Sequence, residues 1–354
     1  LAESEVSLGI RIDAGTRDEP KKFRRRLLAW YERHARDLPW RASRDPYRVW
    51  ISEIMLQQTR VAAVIEHYHE FLRRFPTVEK LAAAREASVL AAWSGLGYYR
   101  RARMLHAAAR VIMREHGGEF PANEEGLRAL PGIGRYTAAA IASIAFGEVV
   151  AVVDGNVERV LQRMSGERLV GEQLWTAANH MLDAKRPGDF NQAMMELGAM
   201  VCTPRAPGCL TCPVVELCAT RGRMNVGAKT APQKKREIDY SLHWREENCR
   251  GGEVFLAQRA RNASLMAGLW ELPENFDAEN RRSAEPWLTL RHSITVTDYT
   301  VRVWRIAASS RSDGKWIPVD RLQRLALTGL ARKILRKAGA LATENSLQGH
   351  GGTE

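Results

Sequence analysis

The chain has 354 residues, 45% of them hydrophobic, and carries 53 lysines and arginines against 41 aspartates and glutamates, a net charge of +12. That length leaves room for two domains with buried cores, and the positive surplus points to a polyanionic partner such as nucleic acid. No apolar run approaches the ~20 residues of a membrane span, and four of the five cysteines crowd into 202–218, which excludes a disulfide framework spread along a secreted chain.

Residues 1–21 are polar and aperiodic and read as a disordered tail. Their opening, LAESEVSLGIRIDAG, carries acids where a secretory leader carries bases, so a cytoplasmic setting is the default. Helical patterns then follow one another from 22 to 222. Asp45-Pro46 reads as an N-cap with proline at the first helical position. It opens one long expected helix, YRVWISEIMLQQTRVAAVIEHYHEFLRRF. Further helices are expected at 78–93, 99–116, 124–129, 135–146, 156–164, 172–184 and 190–200. A basic stretch rich in turn formers reads as a linker over 223–237. Beyond it, EVFLAQR, GLWELP and HSITVTDYTVRVWRIAA carry β-branched and aromatic residues in partial alternation. One helix is expected at about 319–338, and 341–354 read as a second disordered tail. The expected fold class is mainly α, with a smaller α+β domain over 238–340.

Cys202-x6-Cys209-x2-Cys212-x5-Cys218 is the most specific signal. Four thiolates suit Zn²⁺ or an iron–sulfur cluster. Zinc ribbons use paired Cys-x2-Cys knuckles, and this run has one, so its spacing favours a [4Fe–4S] cluster. Upstream, LPGIG at 130–134 joins two helical patterns. Gly132 and Gly134 let the backbone approach a ligand, and the following helix aims its N-terminal amides at an anion, for which a DNA phosphate is the best match.

Two acids stand out. Glu53 lies past the first turn of its helix, with Val49, Trp50 and Leu56 on its own face. A carboxyl among apolar groups has a raised pKa and suits acid–base work, although a glutamate at the edge of an amphipathic stripe has the same spacing. Asp154 follows an apolar run at a helix start, where it competes with Asn156 for the N-cap. Acids in unlike surroundings can divide acid and electrostatic roles. Gln58 and Thr59 follow Glu53 by a turn, and Tyr98 stands beside a basic run, suited to wedging against bases.

LPWR, PYRVWISEIMLQQTRV, GLGYYRRAR, LPGIGRYTAAAI, VDGNVERV, FNQAMMELGAMVCTPRAPGCLTCPVVELC and LMAGLWELP together resemble the MutY-type adenine DNA glycosylases, helix-hairpin-helix enzymes with a [4Fe–4S] cluster. The resemblance covers about residues 25–275. It implies a helix-hairpin-helix barrel over 45–150, a cluster domain from 22–44 and 151–222, and a Nudix-like C-terminal domain. The implied substrate is duplex DNA carrying adenine opposite 8-oxoguanine or guanine; a monomer acting on the bacterial nucleoid is implied as well. In that family's terms Glu53 is the catalytic acid, Asp154 supports the sugar cation with help from Asn156, and Tyr136 lies near the sugar. Arg36, Trp40, Arg41 and Glu196 match residues around the adenine pocket; Leu56, Gln58, Thr59 and Tyr98 match residues at the mispair. The four cysteines match the cluster ligands. His292 and Ser293 stand for the family's 8-oxoguanine-reading hairpin, with their order reversed. No Glu-rich Nudix box follows GLWELP, so a reading module is expected there and not a second active site.

Two other readings compete. A lyase of the endonuclease III type needs a lysine where this chain has Tyr136, because only an amine forms the Schiff base. A cluster-bearing DNA-binding protein without activity would have no use for Glu53 and Asp154 in their motifs.

Overall fold

The computed structural model describes residues 18–224, 234–245, 252–263, 265–274, 285–294, 297–306 and 314–341. Cys249, most of both expected tails and much of the expected linker lie outside them. The described N-terminal part is helical: α1 (Glu19–His34), α2 (Pro46–Leu56), α3 (Val61–Arg74), α4 (Val78–Ala82), α5 (Glu86–Ala92), α6 (Arg100–His116), α7 (Glu124–Arg128), α8 (Arg135–Ala145), α9 (Gly155–Ser165), α10 (Glu172–Met181) and α11 (Pro187–Met200). Asp45 caps α2, its Oδ1 accepting from Tyr47 N at 2.8 Å. Most of α2 is buried, with Trp50 and Ile51 fully enclosed. Such a helix has no polar face to give to water and sits inside its unit, packed on α8.

The long helix expected from residue 47 is in fact two. It breaks after Leu56, where Gln58 adopts a left-handed backbone with φ 55° and Thr59 N bonds back to Leu56 O at 3.2 Å. Neither glycine nor proline marks the break, so periodicity alone runs through it. The helix expected at 78–93 likewise divides into α4 and α5.

The C-terminal part holds β1 (Lys234–Leu242), β2 (Trp244–Arg245), β3 (Glu253–Gln258), β4 (Trp270–Glu271), β5 (Leu288–Ile294), β6 (Thr297–Arg305), β7 (Lys315–Pro318) and α12 (Gly329–Lys337). One sheet has the order β1-β6-β5, with β1 parallel and β5 antiparallel to β6. In the other, β3 pairs antiparallel with β2, β4 and β7. Val254, Leu256, Val301 and Val303 from the strands meet Leu330 and Ile334 from α12 in one core. Strand β1 starts inside the expected linker, because Lys234–Glu237 are exposed and show no apolar alternation. The helix expected from 319 begins only at Gly329, where the Thr328 hydroxyl caps it by accepting from Ala331 N at 3.2 Å. A 3₁₀ turn, Val319–Arg324, precedes it.

Two units emerge. One gathers the described residues of Leu1–Tyr68, Thr77–Glu79 and Ala107–Lys229; the other those of His69–Pro76, Lys80–His106 and Thr230–Glu354. The second unit therefore includes the Tyr98 segment. Ser94 Oγ and Tyr99 Oη each donate to Leu327 O at 2.8 Å, and Arg332 Nε donates to Ser94 Oγ at 3.0 Å.

In the first unit α9 and α11 pack closely at Gly198, where an added Cβ would lie 2.6 Å from Asn156 Cβ and 2.9 Å from its carbonyl oxygen. Gly198→Ala is expected to destabilise the protein by about 1–3 kcal/mol. Thermal unfolding measures this as a midpoint several degrees lower, and an unmoved midpoint would mean that the helices part without cost.

Candidate active site

The hairpin between α7 and α8 is built as its glycines suggest. Gly132 takes φ 75°, a backbone open to glycine at little strain, and Gly134 is the N-cap of α8. A Cβ on Gly134 would meet nothing within 4 Å, so the space before the helix N-terminus is open. The turn starts α8 at Arg135 and places Tyr136 in its first turn.

Tyr136 Oη donates to Glu53 Oε2 at 2.8 Å and also lies 3.3 Å from Met195 Sδ. Glu53 is 6% exposed. Burial pushes its carboxyl up to about 7; the Tyr136 bond and Arg41 oppose the rise, and the Asp154 charge adds to it. Burial, with Glu53 and Asp154 nearby, holds the Tyr136 phenol well above its usual range, so it remains a donor.

Asp154, and not Asn156, caps α9. Its Oδ1 accepts from Asn156 N at 2.9 Å and Val157 N at 2.7 Å, and its Oδ2 from Asn156 Nδ2 at 2.8 Å. Three donors fix this carboxylate at the positive end of the helix. Asn156 Oδ1 accepts from Arg159 Nη2 at 2.8 Å, and Arg159 Nε donates to Cys202 O at 2.7 Å. One turn on, Arg163 is 2% exposed and donates to the carbonyls of Thr203 and Pro204 at 2.8 and 3.0 Å and to Cys202 Sγ at 3.3 Å. Sequence reasoning missed both arginines; their spacing from Asn156, three and seven residues along one helix face, was the available signal.

Glu53, Tyr136, Asp154 and Asn156 line one cleft that opens to solvent. Leu56, Gln58 and Thr59 edge it, as do Trp40, Arg36 and Arg41. Glu196, 1% exposed, anchors the basic side: Arg36 grips it through Nε at 2.8 Å and Nη2 at 2.7 Å, and Arg41 Nη2 reaches it at 2.9 Å. Burial would raise its pKa, but the two guanidiniums prevail and pull it down to about 2. Gln57 donates to Thr137 Oγ1 at 3.3 Å and ties the end of α2 to α8.

Cys202, Cys209, Cys212 and Cys218 line one cavity. Among the described residues, no three Cys, His, Asp or Glu side chains converge as a single metal ion requires. Four thiols around one cavity, with N–H groups of Arg163 and Arg221 each 3.3 Å from a sulfur, are a donor set that an iron–sulfur cluster would take.

Three expected contacts belong to the second unit. Tyr98 is 44% exposed and has φ 47°. His292 and Ser293 lie in β5, opposite Tyr299 and Asp298 of β6. Ser293 Oγ donates to Asp298 Oδ1 at 2.5 Å. His292 is half-buried, and burial with Lys333 nearby lowers its pKa.

The family model described as "HhH-GPD superfamily base excision DNA repair protein" matches residues 51–170. An adenine DNA glycosylase of Rattus norvegicus is 41% identical over 308 residues, 71% of this chain and 60% of that protein. One of Schizosaccharomyces pombe is 31% identical over 365 residues, covering 82% of this chain and 78% of its own length. Among solved structures, a thermostable thymine-DNA glycosylase superposes with a TM-score of 0.55 at 32% identity, over 58% of this chain and 98% of its own. The chain spans about 60% of the length of the rat relative.

The Glu53 carboxyl makes stability depend on pH. Its pKa rises on folding from 4.5 to about 7, so within that window the folded state holds the proton longer. The Glu53 contribution to stability is fully present below the lower value, falls as pH rises towards about 7, and amounts to about 3 kcal/mol in all. Glu53→Gln removes that loss. Its thermal midpoint is expected to gain on the parent's from about pH 5 to about pH 8; a constant difference would contradict the buried protonated carboxyl.

Proposed function

Because the chain belongs to the adenine DNA glycosylase family of the HhH-GPD superfamily, we propose that it is a monofunctional glycosylase of base excision repair. It flips adenine mispaired with 8-oxoguanine or guanine out of duplex DNA and hydrolyses the N-glycosidic bond. One observation carries this reading: a buried carboxyl held near neutrality shares a cleft with a second, well-solvated-by-donors carboxylate.

Adenine leaves poorly as an anion, so its N7 needs a proton. Glu53 supplies it, being raised to about 7. Tyr136 occupies Oε2 as a donor, which leaves the proton to Oε1 and the cleft. Charge then develops on the sugar, and Asp154, oriented by Asn156, stabilises the cation. Glu53, now a carboxylate, draws a proton from the attacking water. Tyr136 has no amine and cannot form a Schiff base, so the strand stays intact.

Arg36, Trp40, Arg41 and Glu196 shape the adenine pocket, with Leu56, Gln58 and Thr59 beside the opened pair. The open N-terminus of α8 takes a DNA phosphate. Tyr98 wedges beside 8-oxoguanine. The four cysteines hold a [4Fe–4S] cluster, which when bound orders the 202–218 loop. The C-terminal domain, Nudix-like in kind, reads 8-oxoguanine. The Ser293–Asp298 bond makes Ser293 a hairpin support more readily than a free reading group. The protein acts as a monomer in the cytoplasm, on nucleoid DNA.

Single-turnover assays on duplexes with 8-oxoguanine:A, G:A and G:T test the reaction. Adenine release from 8-oxoguanine:A is expected, with a rate that falls as pH rises through about 7 and drops at least about a hundredfold in Glu53→Gln. Nicking without added base or heat would sink the monofunctional reading. Thymine release from G:T without adenine release would replace it with a thymine glycosylase. Separately, the parent protein is expected to carry about four irons per chain and a broad visible absorption, both lost in Cys209→Ser. Iron-free protein after anaerobic reconstitution would refute the cluster.

A further inference from the structure

Tyr98 stands in an unusual state. Its ring is 44% exposed while its backbone is left-handed at φ 47°, a conformation that costs a non-glycine residue free energy. The segment around it is held from both sides. Tyr99 is buried, with its hydroxyl on Leu327 O at 2.8 Å. Trp93 Nε1 donates to Gly97 O at 3.1 Å. These bonds fix the backbone on either side of Tyr98, but neither touches its ring.

Arg101 does. Its Cζ lies over the Trp93 ring at 5.4 Å from the centroid and over the Tyr98 ring at 5.5 Å. The same guanidinium donates through Nη2 to Leu96 O at 3.0 Å and Gly97 O at 3.3 Å. One planar cation thus joins the buried Trp93, the turn carbonyls before Tyr98, and the Tyr98 ring. Burial lowers its pKa to about 10, which leaves it cationic at neutral pH.

We propose that Arg101 is the positioning residue of the Tyr98 wedge. It anchors to Trp93 and the 96–97 carbonyls and presents the exposed Tyr98 ring for insertion beside the damaged base. The inference rests on the proposed role of Tyr98 in DNA. A lysine could keep the charge, but it has no flat surface to lie against two rings while bonding two carbonyls. Without that surface the exposed ring is free to rotate, and the left-handed turn loses the contact that offsets its strain.

The test uses full-length protein carrying Glu53→Gln, so that adenine stays attached, and a duplex with 2-aminopurine next to 8-oxoguanine. The change in 2-aminopurine emission on binding reports wedging at that step, and titration gives the affinity. Tyr98→Ala is expected to remove most of the emission change and weaken binding about tenfold, the effect of one lost base–aromatic stack. Arg101→Lys and Arg101→Gln are expected to lose most of the same emission change with thermal midpoints close to the parent's. Each Arg101 change combined with Tyr98→Ala is expected to bind no more weakly than Tyr98→Ala alone. Parent-like emission in both Arg101 variants would overturn the inference, as would effects that add in full in the double variants. Parent-like emission in Tyr98→Ala would overturn the wedge reading itself, and the inference with it.

Discussion

The first unit is organised around the cost of burying the Glu53 carboxyl. Two glutamates lie almost wholly inside it, 6% and 1% exposed, and their surroundings drive them apart. Glu196 meets two guanidiniums and is pulled down to about 2; Glu53 meets one neutral hydroxyl and rises to about 7. The difference lies in the partners, since both are desolvated. A buried charge without a cation is expensive, so Glu53 holds its proton instead. That outcome requires Arg41 to be occupied elsewhere. Its Nη2 on Glu196 and its Nη1 on Arg36 O, 3.0 Å away, keep it from neutralising Glu53. The Glu196 anchor and the protonated Glu53 are therefore two halves of one arrangement.

Helix α9 gives the other carboxylate a similarly fixed setting by different means. Asp154 caps its N-terminus, Asn156 bridges cap and helix, and Arg159 continues from Asn156 to the carbonyl of Cys202. Arg163 takes up the next carbonyls of the same loop. A loop without regular structure leaves backbone acceptors unpaired, and buried ones are costly. Two guanidiniums on one helix face satisfy them. The cysteine loop and the Asp154 carboxylate are consequently held by a single continuous set of hydrogen bonds, and crowding at Gly198 on α11 closes it from the far side.

What could be read from the sequence was what short-range chemistry dictates. Asp45-Pro46 caps α2, LPGIG turns the chain into α8, and the four cysteines share one cavity. The burial of Glu53 was one of two readings that Val49, Trp50 and Leu56 on its helix face left open; its bond to Tyr136, 83 residues away, could not be read at all. The choice between Asp154 and Asn156 as cap was left open by composition, and Asp154 takes it with three hydrogen bonds. Buried arginines escaped notice because Arg159 and Arg163 look like the solvent side of an amphipathic helix until the loop they serve is in place. Strand β1 escaped because its first half is exposed and basic. His292 and Ser293 match a hairpin motif in composition; strand register sets them opposite Tyr299 and Asp298, near the end of the edge strand β5.

The break at Gln58 shows why some positions resist sequence rules altogether. Left-handed backbone is usually sought through glycine, but Gln58, Tyr98 and Arg221 all adopt it here without one. Gln58 edges the cleft with an exposed side chain, Tyr98 carries an exposed ring, and Arg221 turns its amide to within 3.3 Å of Cys218 Sγ. At Gln58 and Tyr98 glycine would relieve the backbone and delete the group being displayed. Strain of about 1–2 kcal/mol is retained where the side chain, and not the turn alone, is what the fold presents, and such sites lie outside any rule that looks for glycine.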